Sequence, residues 1–167
     1  MKEHFAKTAV AAIIERTIEN QPYILMQERQ KENDLNTNGL IEIAAGKVRE
    51  YENVFDALKR EVYEETGLTI TNIIDQEQSE YAGNQTASVM GFTPFYITQN
   101  LDGIYSLIVM TFICEAEGQI AENTNETINI RWVTLEEAEG ILLKSPEKIF
   151  PLHLLSIKKY IQYKTKS

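Results

Sequence analysis

The stretch of sequence that decides the fold runs from Gly46 to Leu68 and consists of GKVREYENVFDALKREVYEETGL. Its apolar residues recur at helical spacing and fall within an arc of about 100° on a helical wheel; they are Val54, Phe55, Leu58 and Val62. Asn53 is a residue type that favours the N-cap, and Gly67 can take the left-handed conformation that ends a helix. The sequence therefore predicts a helix from Asn53 to Thr66.

Three glutamates, Glu61, Glu64 and Glu65, lie on or beside the apolar face of this helix. On the wheel, Glu61 and Glu65 fall within about 20° of Val54, and Glu64 about 80° away. Like charges at these spacings destabilise a helix, and buried carboxylates need a partner or a metal. Arg60 cannot balance all three, so a divalent cation is one explanation, and the absence of nearby His or Cys favours Mg²⁺ or Mn²⁺. The other explanation is an exposed acidic face paired with Arg and Lys.

The chain on both sides of this helix is predicted to form mainly β-strands. The predicted strands are 7–16, 23–29, 40–45, 68–75, 89–99, 104–115 and 128–133, and two more helices are predicted over 135–144 and from 149 or 151 to 163. Asp102-Gly103 predicts a hairpin. Polar loops are predicted over 30–39, 76–88 and 117–125, the second with room for a short strand. No repeat or linker divides the chain, so we expect one α/β domain over residues 1–167 with a mixed sheet.

The composition excludes several classes of protein. The 167 residues include 16 basic and 25 acidic side chains, with a formal charge of −9. This surplus argues against a nucleic-acid polymer as partner, because phosphate neutralisation needs Lys and Arg. The apolar stretch 103–114 is shorter than the ~20 residues of a membrane span, and no signal peptide opens the chain. The single cysteine, Cys114, cannot form an intramolecular disulfide. We therefore expect a cytoplasmic protein that does not bind membranes.

The stretch 46–68 resembles the signature of the Nudix hydrolase family, which is a glycine, five residues, a glutamate, seven residues and then R-E-U-x-E-E-x-G-U with U apolar. All nine defined positions are filled, by Gly46, Glu52, Arg60, Glu61, Val62, Glu64, Glu65, Gly67 and Leu68. The resemblance implies an α/β/α sandwich with a mixed sheet. It also implies hydrolysis of a nucleoside diphosphate linked to another moiety, with Mg²⁺ or Mn²⁺ as cofactor.

The same resemblance implies roles for individual residues. It makes Glu61 and Glu65 principal metal ligands and Glu64 a further ligand or base, and it adds the backbone carbonyl of Ala45 or Gly46 as another ligand. Arg60 and Glu52 would orient these carboxylates, since metal ligands need support from their surroundings.

The family also requires a glutamate from a later loop, ahead of a strand that contains tryptophan. Glu126 ahead of Trp132 occupies that place, with rivals at 115, 117 and 122. Either Glu65 or Glu126 would accept the proton of the attacking water. The resemblance therefore implies a catalytic set of Arg60, Glu64, Glu65 and Glu126.

The substrate is less sharply indicated. The segment Glu42–Gly46, EIAAG, is similar to the ELPAG of ADP-ribose and nucleotide-sugar pyrophosphatases, although Ala44 replaces the usual proline. This favours a small nucleoside diphosphate derivative of that kind, and such relatives also suggest a homodimer. The alternatives are a (d)NTP pyrophosphatase that removes modified nucleotides, a nucleotide-sensing domain without hydrolysis, and, less well supported, an isomerase with an active-site cysteine.

Arg29, at the end of the second predicted strand, is a candidate contact for a phosphate or a base, and the alternative is a surface arginine without a ligand. Aromatic residues on the later strands could stack on a base but are more often core residues; they are Phe92, Phe95, Tyr96 and Tyr105.

Overall fold

The computed structural model describes residues 3–34 and 36–166, which form ten strands and three α-helices. The strands are β1 (Lys7–Ile18), β2 (Gln21–Arg29), β3 (Ile41–Glu42), β4 (Ala44–Lys47), β5 (Thr69–Ile73), β6 (Glu80–Gly83), β7 (Ser88–Gly91), β8 (Tyr96–Gln99), β9 (Leu107–Glu117) and β10 (Thr127–Thr134). The helices are α1 (Val54–Thr66), α2 (Leu135–Lys144) and α3 (Pro151–Lys166). In this part of the chain, no helix combines the length and apolarity needed to cross a membrane.

Eight strands form one mixed sheet. Its order is β10-β2-β1-β9-β5, with β3 beside β2, β4 beside β1 and β8 beside β9. The pair β1–β9 is parallel, and the other pairs of this sheet are antiparallel. β6 and β7 form a separate two-stranded ribbon. The mixed sheet agrees with the prediction.

The central strand β1 is buried on both of its faces. Ala9, Ala11 and Ile13 belong to the core that α2 and α3 cover, whereas Val10, Ala12 and Ile14 belong to the core that α1 covers. Because alternate residues of a strand point to opposite faces, helices must pack on both sides of the sheet. This arrangement is the predicted α/β/α sandwich.

The ends of α1 follow the local chemistry of the sequence. The Asn53 side chain accepts a hydrogen bond from the backbone N–H of Phe55, at 2.9 Å. Gly67 has a φ of 76° and donates its N–H to the carbonyl of Tyr63. The predicted helix and both of its capping residues are therefore confirmed, and the carboxylates on its face are fixed relative to the sheet.

Two predicted strands are broken in the structure. The prediction over 40–45 is replaced by β3, which pairs with β2, and β4, which pairs with β1. Between them lies the fully buried Ile43, where the chain leaves one partner strand for the other. The prediction over 89–99 is replaced by β7 and β8. Pro94 lies in the gap between them, and proline cannot donate to a strand ladder.

Candidate active site

A cleft of about 920 Å³ opens between the β2–β3 loop, β4, α1, the loop before β10, and the start of α3. Charged side chains of both signs line it: Arg29, Lys31, Glu32, Asp34, Lys47, Arg49, Arg60, Glu61, Glu64 and Glu126. Tyr105, Leu107, Val109, Phe150 and Leu152 add an apolar part. Five cations and five carboxylates therefore face one cleft, which offers partners for an anion and for a cation beside an apolar part.

Gly46 lets the backbone of β4 approach the carboxylate of Glu61 closely. A Cβ atom built on Gly46 would lie 1.8 Å from Cδ of Glu61 and 2.1 Å from each of its carboxylate oxygens. Any other side chain at this position would displace that carboxylate. The structure thus brings together the backbone at 45–46 and Glu61, as the predicted ligand set requires.

Arg60 holds the carboxylates at this end of α1. Its Nε and Nη2 donate to the two oxygens of Glu52, at 2.8 Å and 3.0 Å. Its Nη1 donates to Glu61 at 2.5 Å and to Glu64 at 3.4 Å. The hydrogen bonds from Arg60, with a further one from the backbone N–H of Arg49, lower the pKa of Glu52 to about 2. Glu52 therefore stays ionised and fixes the guanidinium, which orients the neighbouring carboxylates.

Glu65 lies deeper, with 3% of its surface exposed. Its Oε2 accepts from the backbone N–H of Ala45 at 3.0 Å and from Nε2 of Gln27 at 2.8 Å, while its Oε1 faces the ammonium of Lys31 at 3.4 Å. Burial, reinforced by the charge of nearby Glu42, raises the pKa of Glu65 to about 7. One oxygen of this carboxylate is thus held by the protein, and the other points to a cation.

Glu126 is the later glutamate that the structure brings to the site. It is paired with Lys31, and its carbonyl accepts from the N–H of Gln30 at 2.7 Å. The next residue, Thr127, donates its hydroxyl to the backbone carbonyl of Glu65 at 2.8 Å. The rivals at 115 and 117 lie on β9 opposite β5, and none of the three rivals lines the cleft.

Arg29 is buried, which excludes the alternative of a surface arginine. Its Nη1 donates to Glu42 at 2.5 Å, its Nε donates to Thr37 at 3.1 Å, and its guanidinium lies 3.9 Å from the ring centroid of Phe150. Glu42 is 2% exposed, and burial raises its pKa against the opposing effect of Arg29. Arg29 lines the cleft, and its main partner is this buried carboxylate.

Of the four aromatic candidates, one lines the cleft, two pack against the core, and Tyr96 begins β8. Tyr105 lines the cleft, and its hydroxyl lies 3.3 Å from Nη2 of Arg29. Phe92 packs against the core on the α1 side and Phe95 against the core on the α3 side. Cys114 is fully buried in β9, so it is not placed to act as a nucleophile in the cleft.

A divalent cation fits the donor chemistry of the site. Glu61, Glu64 and Glu65 offer only oxygen, which hard cations prefer, and the bare backbone of Gly46 makes room beside Glu61. Within residues 3–34 and 36–166, however, no three acidic, His or Cys side chains converge closely enough to hold a metal as they stand. Arg60 and Lys31 contact the carboxylates instead. These carboxylates are therefore held by cations of the protein itself.

Sequence reasoning missed Gln27, Lys31 and Glu42, whose side chains contact Glu65 or Arg29. Gln27 and Glu42 lie opposite each other on β2 and β3 and are almost fully buried. Their signal was a polar residue inside an apolar run, in YILMQER and LIEIAA. Lys31 carried no such signal, because it lies in a polar loop where a solvated lysine is expected.

Comparisons with known proteins agree with this fold. The model of the NUDIX domain family matches residues 6–153, and no curated protein matches the sequence. The MutT protein of Methanosarcina mazei Go1 is 18% identical with a TM-score of 0.62, over 100% of both chains. A NUDIX hydrolase from Nitrosomonas europaea is 15% identical with a TM-score of 0.66, over 99% of this chain and 76% of that one. The NUDIX domain of Shewanella oneidensis NrtR, solved with ADP ribose, is 14% identical with a TM-score of 0.62, over 98% and 90%.

Proposed function

The chain belongs to the Nudix family of pyrophosphohydrolases, and we propose that it hydrolyses the pyrophosphate bond of a nucleoside diphosphate derivative, ADP-ribose or a nucleotide sugar, with Mg²⁺ as cofactor. The observation that carries this proposal is the convergence of Glu61, Glu64, Arg60 and Glu126 on one cleft that also holds cations and an apolar part. Such a cleft suits a ligand with an anionic centre and an uncharged ring portion.

Glu61, Glu64, Glu65 and the carbonyl of Ala45 or Gly46 would hold the divalent cation. When bound, Mg²⁺ or Mn²⁺ neutralises charge on phosphate oxygens and makes a nearby water more acidic. Arg60, fixed by Glu52, keeps the carboxylates of α1 in place, so that their geometry does not depend on the ligand.

Glu126 is the better placed acceptor for the proton of the attacking water. Its side chain is half exposed and lines the cleft, whereas Oε2 of Glu65 is occupied by two hydrogen bonds from the protein. A general base must reach the water that it deprotonates. Glu65 therefore serves as a ligand, and Glu126 receives the proton.

The cleft volume and its lining support the substrate class. Ligand pockets measure about 300–1,000 Å³, and this cleft of about 920 Å³ falls within that range. The NUDIX domain of S. oneidensis NrtR has a similar fold and was solved with ADP ribose. The apolar part around Tyr105 and Leu152 provides a place for an uncharged ring.

A substrate panel tests this proposal. Purified protein with Mg²⁺ would be given ADP-ribose, nucleotide sugars, dinucleoside polyphosphates and dNTPs, and phosphate-containing products would be measured. We expect ADP-ribose or a nucleotide sugar to be cleaved fastest, with kcat/KM reduced by at least about 100-fold in Glu65→Gln and Glu64→Gln. Glu136→Gln, an exposed position on α2, is the matched control and should keep full activity.

Each contrary outcome has its own meaning. Preference for dNTPs would favour the (d)NTP pyrophosphatase. Nucleotide binding without turnover of any substrate would favour a sensing domain. Turnover that neither glutamine substitution changes would refute the assignment of the site.

A further inference from the structure

Lys31 is a cation whose backbone is fixed by hydrogen bonds beside the candidate metal ligands. Asn38 clamps its backbone, since Oδ1 of Asn38 accepts from the Lys31 N–H at 2.7 Å and Nδ2 of Asn38 donates to the Lys31 carbonyl at 3.2 Å. The preceding residue, Gln30, is bonded through its N–H to the carbonyl of Glu126. The Lys31 side chain is 26% exposed, so it extends into the site and not into solvent.

The ammonium of Lys31 lies between two carboxylates that come from distant parts of the chain. It contacts Oε2 of Glu126 and lies 3.4 Å from Oε1 of Glu65. The oxygen of Glu65 that it faces is the one that Gln27 and Ala45 leave free. Lys31 therefore neutralises the oxygen that a metal ion would need.

We propose that Lys31 competes with the divalent cation for Glu65, so that metal loading displaces its ammonium group from Glu65 and Glu126 into the substrate cleft. This inference rests on the proposed function, because it assumes that Glu65 is a metal ligand. A carboxylate attracts a doubly charged ion more strongly than it attracts an ammonium. A displaced ammonium gains a new partner when a substrate phosphate lies in the same cleft. Metal and anionic substrate therefore reinforce each other's binding.

The test is the affinity for Mn²⁺ without substrate, measured from the electron paramagnetic resonance signal of free Mn²⁺. We expect Lys31→Met to bind Mn²⁺ more tightly than the natural chain, by roughly three- to thirty-fold. Lys31→Arg keeps the charge and should stay within about two-fold of the natural chain. Lys59→Met removes one positive charge from an exposed position of α1 and controls for the change in net charge.

A second measurement follows Lys31 directly in the natural chain. Mn²⁺ should increase the rate at which Lys31 is acetylated by a lysine-reactive reagent, relative to Lys59, as measured by mass spectrometry. This readout needs neither a variant nor turnover.

A negative result can be assigned either to this inference alone or to the proposed function. If the natural chain binds Mn²⁺ but Lys31→Met binds it equally or more weakly, Lys31 does not compete and this inference alone is overturned. If no variant binds Mn²⁺, the metal site of the proposed function is wrong and this inference falls with it.

Discussion

Replacing Gly46 with alanine tests whether the backbone of β4 must touch the carboxylate of Glu61. The added Cβ would lie 1.8 Å from Cδ of Glu61, whereas non-bonded carbon atoms pack at about 3.5–4.0 Å. The carboxylate must therefore move by about 1.5–2 Å, or β4 must shift by a similar distance. Either movement breaks the hydrogen bond of 2.5 Å between Glu61 and Arg60.

The expected magnitude follows from this displacement. A misplacement of about 1 Å at a reacting centre can cost about 100-fold in rate, so we expect kcat/KM of Gly46→Ala to fall by at least that factor, or about 2.7 kcal/mol. The φ of Gly46 lies outside the left-handed region, so alanine adopts this backbone conformation without strain. The added methyl group still overpacks the contact with Glu61, so the free energy of unfolding should fall by about 1–3 kcal/mol.

The assay compares kcat/KM, Mn²⁺ affinity and urea denaturation for Gly46→Ala and a control, Gly140→Ala. Gly140 lies in α2, and a Cβ there meets nothing within 4 Å. The control should keep full activity and gain about 0.5–1 kcal/mol of stability, because alanine favours a helix over glycine. If Gly46→Ala keeps kcat/KM within about three-fold of the natural chain, the close approach does not matter for activity and the reasoning is refuted.

Three further predictions use other parts of the site. Arg29→Met leaves Glu42 buried without its cation and should lower the unfolding free energy by about 3–5 kcal/mol in urea, with a smaller loss when Glu42→Gln is added; a larger loss in the double variant would contradict this. Arg60→Lys loses the two-point contact with Glu52, so kcat/KM should fall about 10- to 100-fold at nearly constant Tm. Burial lowers the pKa of His153 to about 3. The unfolded chain therefore binds the proton first, so His153 removes about 2 kcal/mol of stability as the pH falls from 7 to 5. The raised pKa of Glu65 acts in the opposite sense, so the effect is measured as the difference in unfolding free energy between the natural chain and His153→Gln.

Local patterns in the sequence predicted the helix that carries the site and the residues on its face. The spacing of Glu61, Glu64 and Glu65 with the apolar residues of α1, and the caps at both ends, depend on neighbours within one or two turns. The family resemblance implied the carbonyl of Ala45 or Gly46 as a metal ligand, whereas the reason for a glycine there, the missing Cβ beside Glu61, emerged from the structure.

The interactions that sequence reasoning missed join residues far apart in the chain. Arg29 and Glu42 are separated by 13 positions, and Lys31 lies 34 positions from Glu65 and 95 from Glu126. The break between β3 and β4 likewise depends on which strand each segment pairs with. Alternation along a strand indicates which face is buried, but it does not identify the neighbouring strand. Lys31 therefore had the pattern of an ordinary loop lysine.

Three cations of the protein form ion pairs with carboxylates in and around the cleft. Their chemistry distinguishes the ion pairs that stay in place from the ion pair that a metal ion would replace. Arg29 forms ion pairs with Glu42 and Asp34, Arg60 with Glu52, Glu61 and Glu64, and Lys31 with Glu65 and Glu126. A guanidinium is planar and binds a carboxylate at two points, whereas an ammonium is a strongly hydrated point charge on a flexible stem. In these ion pairs seven carboxylates face three cations, which leaves a negative surplus that a divalent cation would reduce. Because the ammonium is the easiest of the three groups to release, the proposed metal ion would replace Lys31 beside Glu65, while the two arginines keep the remaining carboxylates in place.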